Sequence, residues 1–141
     1  MQGFIQSYIK VYRPLISKLN ELLSEYKLSY SLWQVIFYLK NNGPSALVDM
    51  SNYYHVEKPS ITRRVQRLEK MDFIKVIPGK DKREKLIQLT DTGERIYQAC
   101  RKKITDLEYN VMKGIPLDKQ IAAFQLLSKI KQNISDIENN R

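Results

Sequence analysis

The sequence predicts a mainly α-helical chain with one short β-hairpin set into it, and three observations carry that prediction. Apolar residues recur at steps of three and four over most of the 141 residues, the spacing of helices with one buried face. Only between Phe73 and Leu89 does this period yield to short β-branched runs. Positive charge gathers around the same stretch. Of a formal net +9, a net +5 lies between Glu57 and Lys85, from ten Lys or Arg against five Asp or Glu. A chain of this length is expected to form one domain (1–141) with a substantial core.

Residues 4 to 23 carry Ile5, Tyr8, Ile9, Tyr12, Leu15, Ile16, Leu19, Leu22 and Leu23 on a helical stripe. Pro14 lies inside it. Because proline lacks an N–H and crowds the preceding turn, a kink near residues 10 to 14 or a fresh helix start is expected. Tyr26 to Tyr30 reads as a connector, with Ser31 as cap of a second helix through Trp33, Ile36, Phe37 and Leu39. Asn41-Asn42-Gly43-Pro44 ends that helix. Ala46 to Met50 reads as a short third helix and Asn52 to His55 as a turn. A fourth helix buries Ile61, Val65 and Leu68, with Pro59 pre-setting φ for its first turn. Phe73–Ile77 and Leu86–Leu89 read as strands, joined by a polar tip, Pro78 to Lys85, that opens on Pro-Gly. Thr90 is expected to cap a long fifth helix, with Asp91 and Glu94 where the helix dipole favours acids. Its stripe runs Ile96, Tyr97, Cys100, Ile104, Leu107, Val111 and Met112. Gly114-Ile115-Pro116 breaks it before a last helix through Ile121, Phe124, Leu127, Ile130, Ile134 and Ile137.

Helix, turn, helix and charged hairpin in that order describe a winged helix-turn-helix over 31–93. The fourth helix is its reader. Ser60, Arg63 and Arg67 fall opposite the buried stripe, with Thr62 and Gln66 on one flank and Arg64 on the other. Guanidinium forks match the two acceptors of guanine, while hydroxyls and amides suit several base edges, and all can hold phosphates. Arg64 is expected to touch phosphate or to pair with an acid. In the hairpin tip Arg83 suits the negative potential of a narrow minor groove, and Lys80, Lys82 and Lys85 add salt-sensitive attraction. On the fourth helix taken alone, a solvated basic face is an equal reading; its neighbours favour nucleic acid. The helical segments 1–30 and 94–141 leave three apolar stripes that a small winged unit cannot cover, so a two-fold pairing of chains through them is expected.

Several motifs then carry a family resemblance. Val56-Glu57-Lys58-Pro59-Ser60-Ile61-Thr62-Arg63, Leu68-Glu69-Lys70-Met71-Asp72-Phe73-Ile74, Asp81-Lys82-Arg83 and Leu89-Thr90-Asp91-Thr92-Gly93 together resemble the MarR family of bacterial transcriptional regulators. The resemblance implies a dimer of interleaved N- and C-terminal helices and a ligand- or signal-responsive repressor on a pseudo-palindromic operator in double-stranded DNA. It implies that Asp81 orients Arg83 or pairs with an arginine of the winged unit. Glu57 stands where relatives often carry Ser or Thr at the helix cap. A small aromatic or lipophilic effector is implied in a crevice between winged unit and dimer helices, with Tyr26, Tyr30, Trp33 and Phe37 as walls. Aromatics at such spacing are otherwise core residues.

Other classes find little support. No nucleophile elbow, phosphate loop or paired-carboxylate setting points to an enzyme, and no cofactor is expected. His55 is the only histidine and Cys100 the only cysteine, so neither a metal ligand set nor an internal disulfide is available. Cys100 shares a stripe with Ile96 and Ile104, which makes it a packed small hydrophobe rather than a redox sensor. Without an apolar run of membrane length, a cytoplasmic home is expected. The rival binding-module reading is a winged-helix protein-interaction adaptor, against which the Arg- and Ser-rich reader face argues.

Overall fold

The computed structural model describes residues 3–81 and 83–139. In order they form α1 (Phe4–Ser24), α2 (Tyr30–Asn42), α3 (Leu47–Tyr54), α4 (Lys58–Lys70), β1 (Ile74–Pro78), β2 (Lys85–Leu89), α5 (Asp91–Val111) and α6 (Leu117–Asn139). Two compact units result, Met1–Thr105 and Asp106–Arg141. In the first, β1 and β2 pair antiparallel from Ile74 opposite Leu89 to Pro78 opposite Lys85. Ser45, in the loop before α3, adds a rung to the outer side of β2 by exchanging backbone hydrogen bonds of 3.0 and 2.8 Å with Ile87. The core beneath is made by Val35, Ile36, Met50, Ile61, Leu68, Ile74 and Cys100, all essentially inaccessible. α4 therefore buries the stripe its periodicity marked, and its polar face is left outward.

The strand bounds are shifted by one residue from the sequence expectation, with Pro78 and Lys85 paired in the strands, and three helices differ from it as well. α1 is one helix with Pro14 inside it, without the fresh start allowed for near residues 10 to 14. α2 is capped by Ser29, not Ser31: the Ser29 hydroxyl accepts from the Leu32 amide, and the Asn20 side chain accepts from the Tyr30 amide at 2.7 Å. The early start lets Leu32 and Trp33 enter the core already in helical register. α3 runs through Tyr54, so Asn52 to Tyr54 are helix and only His55 onward is turn. Packing explains the extra turn. Tyr38, Tyr53 and Tyr54 meet edge to face, and the Tyr54 hydroxyl donates to the Gln34 carbonyl at 2.8 Å. Burial of that hydroxyl pushes its pKa well up. His55 then adopts a left-handed φ of 53° and Ser51 closes the end by donating to the Val56 carbonyl.

The junction into α5 holds as expected and shows why its motif is glycine-terminated. Thr90 accepts from the Gly93 amide at 3.0 Å and also donates to the Asp72 carbonyl. A Cβ on Gly93 would lie 2.0 Å from the Phe73 carbonyl oxygen, inside a backbone. Cys100 is fully buried and its thiol is pushed up to about 11 by burial, the state of an inert core residue. In the second unit α6 carries no buried residue. Among the described residues no helix is long and apolar enough to cross a membrane.

Candidate nucleic-acid interface

The turn from His55 to Glu57 sets the direction of α4. Glu57 precedes the helix in extended conformation and makes no side-chain cap; its carbonyl instead accepts from the Ser60 and Ile61 amides. Pro59 sits in the first turn, where a missing N–H costs nothing. Ser60, Arg63 and Arg67 then stand in line, with Arg63 and Arg67 exposed and Ser60 partly so. Arg63 donates to the Ser60 hydroxyl at 3.1 Å, which holds the guanidinium along the helix surface and keeps most of its donors outward. Thr62 spends its proton on the Lys58 carbonyl at 3.0 Å and keeps acceptor capacity. Gln66 is exposed beside it.

Arg64 behaves differently from its neighbours. It was expected at a phosphate or an acid, yet Nη1 donates to the Gln34 side-chain oxygen at 2.9 Å and the residue is half-buried against α2. Part of its donor set therefore ties α4 to α2. Nothing in the local sequence pointed to Gln34; the link spans thirty residues and exists only in the fold.

The hairpin tip is organised by its own backbone. Gly79 donates to the Glu84 carbonyl at 2.8 Å and Glu84 to the Asp81 carbonyl at 2.9 Å. The Asp81 carboxylate accepts from the Arg83 backbone amide at 3.3 Å, so it acts on Arg83 through the main chain. Lys80, Arg83 and Lys85 are exposed, and Lys82 lies outside the described residues. The tip and the front of α4 are thus two cationic surfaces carried by one compact unit. Such a unit can place one element in a major groove and the other at an adjacent backbone or minor groove.

The aromatic residues meet the sequence expectation in part. Tyr30, Trp33 and Phe37 do share a cleft of about 200 Å³, completed by Gln34, Tyr53 and Tyr54. Tyr26 is elsewhere, beneath the Lys103 ammonium, which also pairs with Glu25. Trp33 stacks on Tyr97 with ring centroids 5.4 Å apart, so much of its surface serves packing. Among the described residues no cluster of His, Cys, Asp and Glu could hold a metal ion.

A helix-turn-helix closed by a charged two-stranded hairpin defines the winged helix-turn-helix class. Residues 28–85 match the sequence model described as the MarR family. The HTH-type transcriptional regulator YwoH of Bacillus subtilis is 34% identical over 100 residues, which span 71% of this chain and 73% of YwoH. The chain belongs to the MarR family of transcriptional regulators, which are not enzymes. Solved structures agree on the fold. Staphylococcus aureus MarR in complex with salicylate and kanamycin superposes with a TM-score of 0.86 at 24% identity, covering 94% of this chain and 91% of that one. A point mutant of Escherichia coli MarR complexed with operator DNA gives 0.80 at 24% identity, covering 89% and 91%.

Proposed function

We propose that this regulator acts as a homodimer that grips a pseudo-palindromic operator, with one α4 in the major groove of each half-site. The observation that carries the reading is the charge balance of α4. Its outward face presents Ser60, Arg63 and Arg67, and no described carboxylate pairs with either arginine. A solvated helix face ordinarily interleaves both signs; a face of unneutralised guanidiniums suits a polyanion. Arg83, Lys80, Lys82 and Lys85 serve as the backbone and minor-groove contacts of the wing, Ser60, Thr62, Arg63 and Arg67 as readers, and Arg64 as a brace with donors to spare for phosphate.

Dimerisation is supported by apolar surface that one chain leaves bare. Ile5 is 76% exposed on α1, and Ile137 65% and Phe124 52% on α6. A second copy is the covering surface a symmetric regulator has to hand. Repression relieved by a small aromatic or lipophilic ligand follows as the mode of control. It is supported by the aromatic cleft and by the salicylate complex of a relative of the same fold.

The test is titration of the purified protein against its own upstream intergenic DNA and a scrambled duplex at several salt concentrations. Saturable binding of one dimer to a protected inverted repeat, far tighter than to the scrambled duplex, is expected. In the same assay Arg63→Ala should cost roughly 1–3 kcal/mol and relax one operator position if it makes a bidentate base contact. Equal, weak binding to both duplexes that salt erases would reject specific recognition and favour the adaptor reading.

A further inference from the structure

Beside α4 lies a second cationic feature that shares Arg63 and Arg67 with the reader face and adds Lys27 from outside it. A cleft of about 360 Å³ has Lys27, Ser29 and Ser31 on one wall and Arg63, Arg64 and Arg67 on the other. Four cations from two separate elements converge there. Among the described residues none of them is paired with a carboxylate: Arg63 and Arg64 have a hydroxyl and an amide as partners. Lys27 holds its place at a conformational cost. It has a left-handed φ of 60°, closed by its amide on the Ser24 carbonyl and the Leu28 amide on the Leu23 carbonyl. Glycine or asparagine adopts that conformation more readily, so a lysine there keeps a charge at the rim of the cleft against backbone preference. On the same wall the amides of Tyr30 and Leu32 are satisfied by Asn20 and Ser29 at the positive end of α2.

We infer that this cleft is an anion site that takes a phosphate group of the DNA backbone, with Lys27 as a contact outside the winged helix-turn-helix and Ser31 as one at its first residue. The assignment rests on the reading of α4 as the DNA-facing helix. A helix is about 10–12 Å across and the major groove about 12 Å wide, so phosphates on the groove rim lie against the flanks of an inserted helix. Arg63 and Arg67, one turn apart, border both the groove-facing surface and the cleft. One guanidinium fork can hold a phosphate while the lysine adds a point charge from the opposite wall.

The test compares Lys27→Asn, which removes the charge and tolerates the left-handed backbone, with Lys27→Arg, which keeps it. Affinities for the upstream duplex and a scrambled duplex are read by fluorescence anisotropy against salt. K27N is expected to weaken both alike by roughly three- to tenfold and to lower the salt slope by about one, with K27R near wild type. A duplex carrying a neutral methylphosphonate at the contacted phosphate should cost wild type more than K27N alone does, because the guanidinium contact goes as well, and should cost K27N less than it costs wild type. An unchanged slope in K27N, with wild type binding DNA, overturns the site alone. Wild type that binds neither duplex overturns the reading of α4 itself. Inorganic phosphate supplies the remaining arm: if calorimetry finds that it binds wild type but not K27N while their DNA slopes agree, the cleft holds a free anion and the backbone assignment fails.

Discussion

Gly93 occupies a position that no side chain can share. A methyl group there would be driven into the Phe73 carbonyl at 2.0 Å, and a backbone cannot rotate out of the way as a side chain can. Gly93→Ala is therefore expected to cost at least about 2 kcal/mol, the upper part of the overpacking range, as a lowered urea midpoint at constant slope. Cys100 makes the opposite kind of case, a reactive residue type made inert. Burial raises its thiol from the ordinary 9.0 to about 11, so the thiolate is nearly absent at neutral pH. Native protein should react with a thiol reagent far more slowly at pH 7.5 than protein unfolded in urea. The linkage has a definite sign: the folded state holds this proton more tightly, so its contribution is complete below pH 9 and is lost as pH rises towards 11. The residues that read as buried from periodicity, Ile61, Val65, Leu68 and Cys100, are buried. Periodicity sees a stripe directly, whereas the turn of Arg64 towards Gln34 depends on what α2 offers across the gap.

At the scale of elements the legible features were those with a local cause. Thr90, the Gly43-Pro44 stop and the outward face of α4 each follow from a few neighbouring residues, and the structure has all three. The start of α2 and the end of α3 were missed because distant groups decide them. Asn20 satisfies the Tyr30 amide, and the Tyr38–Tyr53–Tyr54 cluster rewards a further turn of α3. The cap assignment is open to a direct comparison. Ser29→Ala should destabilise the protein by about 1 kcal/mol and Ser31→Ala by a few tenths at most, as read by chemical denaturation. Equal losses would mean that the Leu32 amide gains little from Ser29. Ser60, Arg63 and Arg67 share the outward surface of α4, opposite the buried stripe, where the sequence set them, with Thr62 on the flank. Lys27 lay beyond its view, since only the fold brings the end of α1 alongside α4.

For the whole molecule, much of the exposed apolar surface lies on the first and last helices of the chain, α1 and α6. Phe124, Leu127, Ile134 and Ile137 on α6 are each at least half exposed, a pattern that favours association over solvation. Light scattering should give twice the 16.7 kDa chain mass at micromolar concentration. Phe124→Asp with Leu127→Asp should shift the protein towards one chain and weaken operator binding far more than scrambled-DNA binding, because a two-fold operator rewards only the paired form. A monomeric wild type that still protects an inverted repeat would reject the dimer. The aromatic cleft, by contrast, lies within one winged unit between α2 and α3, where Tyr53 and Tyr54 stand in the place that Tyr26 was expected to fill.

Gln34 joins these scales. Its backbone carbonyl receives the Tyr54 hydroxyl from α3, and its side chain receives Arg64 from α4. A single residue of α2 thus acts as a yoke for both limbs of the helix-turn-helix. If α2 rolls or slides, the two limbs are carried along together and the angle between them is preserved. In the proposed dimer, control through this residue would change where a reading head stands, not the shape of the head, and the distance between two such heads would be the quantity on which recognition turns.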